Sequence, residues 1–370
     1  GTNGDELWKY DGVNAPSMVA DMNSGNANFD PISLTVFNNV LYFEADDGTN
    51  GDELWKYDGV NTPSMVADIN PGSGSSNPNN FVVFNNILYF EAYDGTHGYE
   101  LWKTDGSNVG TVMVDDMNPG SSHSYPSDFV LFNNELYFEA NDGTHGAELW
   151  KYDGTNAPSM VFDIRIGSGS SYPTDLIVFN NILFFEAYDA NTGHELWKYD
   201  GVHQPNLVDD MNPGSSSSYP SEFVLFNNEL YFAATAGLYG VELWKYDGVH
   251  APSVVADIYP GSSSSSPSDF VLFNNELYFA ANDGTHGAEL WKYDGTNAPS
   301  MFCNLNIAKS SNSPSNFIEL NNYLYFVNYD HTHGSELWKY DGVSASMVAD
   351  IYTGGSSSSP SYLTVFNNEL

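Results

Sequence analysis

Six loop acids, Asp47, Asp94, Asp142, Asp189, Asp283 and Asp330, stand in short runs of Gly, Asn and Thr such as Asn141-Asp142-Gly143-Thr144-His145-Gly146. Hard cations such as calcium take several oxygen ligands from a flexible turn, so each run is a candidate Ca2+ site. The spacing departs from the D-x-[DN]-x-[DN]-G loop, and an Asp before Gly also caps its own turn by accepting backbone N–H groups. Both readings stand at this level. Histidines 97, 145, 286 and 333 share one position of the same loop. Zinc needs three or four ligands at about 2.0 to 2.3 Å, and equivalent positions of different repeats lie too far apart to share an ion, so these read as surface histidines. Asn50, His194 and Tyr239 occupy the remaining variable loop positions. No cofactor is required, and Ca2+ is the one ion the pattern suggests.

A catalytic centre in a repetitive chain would be a unique constellation that breaks the repeat, with a nucleophile and its base or two carboxylates in unlike environments. The main departures are "TAGLYGV" at 235–241 and "CNLNIAKSSN" at 303–312. Neither assembles an acid, a base and a nucleophile, so the expectation is a protein without enzymatic activity.

The positions that hold these loops follow from an internal period. Tryptophans at 8, 55, 102, 150, 197, 244, 291 and 338 are spaced by 47 or 48 residues, each inside Glu-Leu-Trp-Lys. In the unit 128–163, "DFVLF" and "ELYFEA" flank Asn133-Asn134, a pair suited to the positive φ of a two-residue hairpin turn. The loop "NDGTHG" follows, then "AELWKYD", the Asp153-Gly154 turn and "PSMVFDI". Four antiparallel strands and one longer Ser-, Gly- and Pro-rich crossover predict a propeller blade. A helical solenoid fails on β-branched and aromatic richness and on the absence of a 3.6-residue period.

The expectation is an all-β, eight-bladed β-propeller of four-stranded antiparallel blades in a single domain over 1–370. The blades fall near 31–69, 80–116, 127–163, 174–210, 221–257, 268–304 and 315–350, with a composite closing blade from 361–370 and 1–22. By analogy with Tyr137–Asp142, a segment of the type "YFEAND" is wanted between Leu370 and Gly1. Flanking sequence of the same chain would fill that slot, or a neighbouring molecule's strand would, giving self-association.

Residues alike in every unit serve the blade. The tryptophan reads as a wedge between blades, with an exposed stacking platform for sugars as the alternative. Glu and Lys of Glu-Leu-Trp-Lys point to opposite faces and read as exposed pairs with neighbouring strands, each worth under about 1 kcal/mol. Asp21, Asp68, Asp116, Asp163, Asp210, Asp257 and Asp350, with Asn304 in the seventh unit, read as crossover anchors. The loop joining second and third strands shares a face with the crossovers, and this variable face is the candidate binding surface.

Against 10 Lys+Arg stand 48 Asp+Glu, a formal charge of -38, which repels nucleic acid and anionic membranes. No apolar run approaches the length of a membrane span. The single cysteine, Cys303, excludes an intramolecular disulfide and reads as a small packed residue.

The unit "GAELWKYDGTNAPSMVFDI" resembles the ELWxxDGT repeats of bacterial extracellular proteins, matched best by Glu100–Gly106 with "NVGTVMVDDMNPGSS" after it. The resemblance runs the length of the chain. It implies a secreted or surface-attached propeller-like repeat protein, and supplies no reaction or ligand. Most units carry Ala-Pro-Ser where the family tends to have Gly-Thr. The expected function is a non-enzymatic extracellular or cell-surface binding or adhesion scaffold with a protein or glycan ligand. A multivalent lectin and a calcium-stabilised matrix or filament component are the alternatives.

Overall fold

The computed structural model describes residues 4–23, 27–303 and 314–370. Among them lie seven four-stranded antiparallel sheets, each a meander in chain order, and no helix. These are propeller blades. They span 32–67, 79–115, 127–162, 174–207, 221–256, 268–303 and 315–347, and are called blades 1 to 7 below. Residues 1–173 with 364–370 form one compact unit and 174–363 a second. Asn304, Lys309 and most of the 303–312 departure lie outside the described residues. Among those described, no helix is long and apolar enough to cross a membrane.

The count of eight four-stranded blades is corrected to seven. The terminal pieces do pair, but only Trp8–Lys9 with Ser17–Met18 form a sheet. The 361–370 segment adds a Phe366–Glu369 bridge. Tyr10 and Leu370 exchange both backbone hydrogen bonds, at 2.7 and 2.9 Å, in the register that joins Leu41 to Tyr57 in blade 1. The ladder that Phe43–Trp55 and Ala45–Glu53 continue in blade 1 has no counterpart beside Trp8 and Glu6 among the described residues.

Each blade is built from turns its sequence dictates. Asn133 and Asn134 adopt φ of 49° and 61°, the left-handed pair a two-residue hairpin needs, and every Asn-Asn or equivalent hairpin pair repeats it. In the third-to-fourth turn Gly154 has φ +89°, and a β-carbon there would meet Phe84 of blade 2 at 3.3 Å. Glycine is therefore required for both backbone conformation and packing.

The cores lie between blades. In the first unit Trp150 of blade 3 joins Phe138 and Tyr152 of its own blade and Phe84, Tyr89 and Leu101 of blade 2. In the second unit Trp244 joins Phe179, Phe184 and Leu196 of blade 4. Trp55, Trp102, Trp150, Trp244 and Trp291 are buried, and their indole Nε1 atoms have no hydrogen-bond partner among the described residues. Apolar contact is what these rings supply, so the wedge reading holds. Trp8 departs from it at 44% exposed.

The glutamate of the same tetrapeptide corrects the exposed-pair reading. Glu53, Glu100, Glu148, Glu195, Glu242, Glu289 and Glu336 are all fully buried. Glu148 accepts from Ile164 N and Ser171 N at 3.0 Å each, and from Ser171 Oγ at 2.6 Å. The same serine hydroxyl contact recurs at Glu53–Ser76, Glu100–Ser124, Glu195–Ser218, Glu242–Ser265 and Glu336–Ser358. The carboxylate thus fastens the crossover to the third strand. Burial pushes Glu53, Glu100 and Glu195 up to about 7. Lys151, Lys245 and Lys292 behave as expected, each meeting a partly exposed glutamate of the adjacent strand at 3.0 to 3.1 Å, whereas Lys56 donates to the Gly106 carbonyl and Lys339 lies over the Tyr323 ring.

Candidate binding face

In the first unit the loops between second and third strands interlock with the crossovers. Ser75 Oγ of the crossover accepts from Asp52 N at 3.0 Å, and Gly95 and Gly143 sit close to Asn70 and Asn118 of the preceding crossovers. Those asparagines donate to Ser75 O and His123 O at 2.9 and 2.8 Å. The candidate residues therefore stand on a braced surface.

Each loop acid holds its own turn. Asp94 Oδ1 accepts from Thr96 N at 2.8 Å and His97 N at 2.9 Å, and Oδ2 contacts His97 Nδ1 at 2.7 Å. The Asp142–His145, Asp283–His286 and Asp330–His333 pairs repeat the arrangement. At Asp47 the partner is Asn50, whose Nδ2 donates at 2.9 Å, while Asp189 accepts from Asn191 N at 2.8 Å. Partial burial works to raise the Asp94 carboxyl, and the bonds from His97 and Thr96 outweigh it, so it lies below the usual carboxylate range. The hydrogen bond to Asp94 raises His97 in turn.

The identical motif caps the opposite turns. Asp153 Oδ1 accepts from Thr155 N and Asn156 N, and His203 and His250 contact Asp200 and Asp247 as the loop histidines do. A motif used on both faces belongs to turn formation. The crossover acids are anchors as expected: Gly120 N donates to Asp116 and Gly167 N to Asp163 at 3.1 and 3.0 Å. No group of three His, Cys, Asp or Glu residues placed to hold a metal occurs among the described residues.

Two loop candidates differ. His194 lies on the third strand of blade 4, contacts Glu186 through Nδ1 and has its pKa lowered by burial. Tyr239 is 39% exposed, sets its ring edge-on to Trp244 at 6.5 Å and accepts at its carbonyl from Thr235 Oγ1.

Sequence reasoning missed two clusters. In the second unit, residue two of each first strand takes a left-handed φ at a bulge: Asp175 55°, Glu222 60°, Asp269 55° and Asn316 56°. Their side chains form a relay, Glu222 N to Asp175 Oδ1, Asp269 N to Glu222 Oε2 and Asn316 N to Asp269 Oδ1, at 2.9 to 3.0 Å. Beside it is a cavity of about 290 Å3 lined by Glu222, Asp269, Asn316, Tyr362 and two phenylalanines. An acid at a constant interval in "SDF", "TDL" and "SEF" was the available signal.

The second is aromatic. In blade 2 and its crossover Tyr99 and Tyr125 stack at 5.6 Å, and His123 and Tyr125 at 4.8 Å, with Tyr93 alongside. Tyr99 N donates to His123 Nδ1 at 3.0 Å, which leaves Nε2 as the protonated nitrogen of the neutral ring. Asn77 Nδ2 reaches Tyr99 Oη at 2.5 Å. Glu91 and Glu44, on the second strands, are raised by burial to about 7 and about 8. In the second unit His194 and Tyr219 stack at 4.9 Å and 25°, beside Tyr188.

No protein-family model matches the sequence, and no curated protein matches it. Among solved structures the chain is similar to one from an analysis of two prolyl endopeptidases, at 11% identity and TM-score 0.57, over 86% of this chain and 49% of that one. A puromycin-hydrolyzing peptidase of Mycobacterium tuberculosis is similar at 11% identity and TM-score 0.53, over 93% and 56%. The computationally designed Ika8 protein is similar at 17% identity and TM-score 0.50, over 88% and 89%. The chain spans about half the length of the peptidases it matches. Identities this low speak for fold, and the class is an all-β protein of four-stranded propeller blades.

Proposed function

We propose that this chain is a non-enzymatic extracellular binding or adhesion scaffold whose contact surface is the face of second-to-third loops and crossovers. The observation that carries the reading is the division of labour among polar residues. Glutamates, loop acids and crossover acids that recur in the repeats are held by serines and turns of their own blade, while the second-to-third loops, which range from NDGTHGA to TAGLYGV, rise beside braced crossovers. A rigid frame with a variable loop surface is how binding modules are commonly built. The resemblance to ELWxxDGT repeat proteins supports the extracellular placement. The net charge of -38 favours protein or neutral glycan ligands over nucleic acid and membranes. The likeness to peptidases reaches about half of their length and carries no reaction here.

The test blocks one face at a time. In a Cys303→Ser background, Thr96→Cys and Thr144→Cys receive maleimide-polyethylene glycol on the loop face, and Asn108→Cys and Thr155→Cys receive it on the opposite face. Binding to printed arrays of extracellular-matrix proteins and glycans is expected to be lost only when the loop face is blocked. Loss only from the opposite face, or turnover of peptide substrates by the unmodified chain, would overturn the reading.

A further inference from the structure

The crossover residue that precedes proline has a left-handed backbone in all seven described repeats that carry it. The φ values are 48° at Asp30, 45° at Asn77, 49° at Tyr125, 49° at Tyr172, 48° at Tyr219, 46° at Ser266 and 46° at Ser359. Asp and Asn tolerate this region, whereas other residues with a β-carbon are strained there, a bulky side chain most of all. A following proline restricts the residue further. Three repeats nevertheless carry tyrosine, and the rings are not used to fill a core, since Tyr125, Tyr172 and Tyr219 are 53%, 51% and 57% exposed.

Strain held by the surrounding structure and an exposed aromatic face together mark a contact surface. The backbone is pinned in each case: Tyr125 N donates to Tyr99 O, Tyr172 N to Ala147 O and Tyr219 N to His194 O, all at 3.2 Å. Two of the three rings are also backed. Tyr125 lies on Tyr99 and His123, and Tyr219 lies on His194 at an interplanar angle of 25°. The two platforms are assembled from different residue types with the same outcome, one in each compact unit. Polar groups suited to hydroxyls adjoin the Tyr125 platform, namely His123 against its ring and the Asn77 amide on the hydroxyl of the underlying Tyr99.

We infer that Tyr125, Tyr172 and Tyr219 are each a stacking platform for the apolar face of a neutral sugar ring, each a saccharide subsite of its own. The inference rests on the scaffold reading and names its ligand class. A flat ring with polar neighbours matches a pyranose, whose C–H face stacks while its hydroxyls meet amide and imidazole groups. Anionic sugars are disfavoured by the chain's charge of -38.

The test uses the full 370-residue chain with cellotriose, maltotriose and N,N′,N″-triacetylchitotriose, read by saturation-transfer NMR and by titration. At least one is expected to bind, with Tyr125→Asn, Tyr172→Asn and Tyr219→Asn combined weakening it by about tenfold or more, the loss of a contact worth over ~1.4 kcal/mol. The combined Phe variants keep binding within about threefold. Thermal denaturation supplies an independent reading: Tyr125→Asn raises Tm by about 1 to 2 °C because Asn accepts the left-handed backbone. Failure of all three sugars, unchanged binding in the Asn variant, or a lowered Tm for Tyr125→Asn would each overturn the inference. Face-dependent binding to a printed matrix protein without any sugar binding would leave the scaffold standing and remove the saccharide.

Discussion

Blade 3 and the terminal two-stranded sheet contain the same tetrapeptide in different surroundings. Trp150 is 9% exposed, with Phe138 of the second strand as its ladder partner. Trp8 is 44% exposed and, among the described residues, has Met18 as its one ladder partner. Glu148 receives three hydrogen bonds, two of them from Ser171. Among the described residues Glu6 receives one, from Met22 N at 3.4 Å, and its buried Oε1 meets no partner. Phe29 occupies the place of Ser171: its N–H donates to Asp5 O as that of Ser171 does to Ala147 O, and its ring packs edge-on against Trp55 at 5.1 Å. The tetrapeptide is thus neither intrinsically a wedge nor intrinsically a clamp. A second strand buries the tryptophan, and a crossover serine satisfies the glutamate.

The largest expected effect sharpens the first half of that comparison. Trp150→Ala should cost about 3 to 5 kcal/mol, the usual range for emptying a buried aromatic site, whereas Trp8→Ala should cost less than about 1.5 kcal/mol. Urea denaturation measures both, and equal losses would break the comparison. Next in size, Ser171→Ala removes a hydroxyl from a buried carboxylate and should cost about 1.5 to 3 kcal/mol, the range for hydrogen bonds to charged groups.

A pH series reads the glutamates together. Burial holds Glu6, Glu53, Glu100 and Glu195 at about 7 in the folded chain, against 4.5 when free of the fold. The folded state therefore keeps protons that the unfolded state releases, so their contribution is complete below about pH 4.5 and is lost as pH rises towards 7. Thermal stability should be higher at pH 5 than at pH 8 by about 1 kcal/mol or more, and the Glu6→Gln variant should reduce the difference. A chain more stable at pH 8 would contradict the assignment. Smallest of all, His145→Ala should change stability by no more than about 0.5 kcal/mol, and a chelator should leave the melting temperature unmoved if Asp142 is spent on its own turn.

Much of the fold was legible. The Asn-Asn pairs announce hairpins because few residues accept two successive left-handed positions, and a tryptophan at constant phase announces one repeated contact. The eighth blade was misread because its segments match the others in kind, while among the described residues they form only a two-stranded sheet and one bridge. The clamp at Glu148 was hidden for a different reason. Its partner Ser171 lies 23 residues away in a run of serines that look alike, and alternation along a strand shows which face a residue takes, not what waits there. The tyrosine platforms were hidden in the same run. Tyr-Pro against Asn-Pro or Ser-Pro becomes informative only once the backbone is known to be left-handed.

The most direct test of the central account, that the repeated glutamate and serine form one fastening between third strand and crossover, is a double-mutant cycle of Glu148→Gln and Ser171→Ala by urea denaturation. The account predicts a coupling of about 1 to 2 kcal/mol, within the range for residues in direct contact. Strict additivity of the two losses, within about 0.3 kcal/mol, would contradict it.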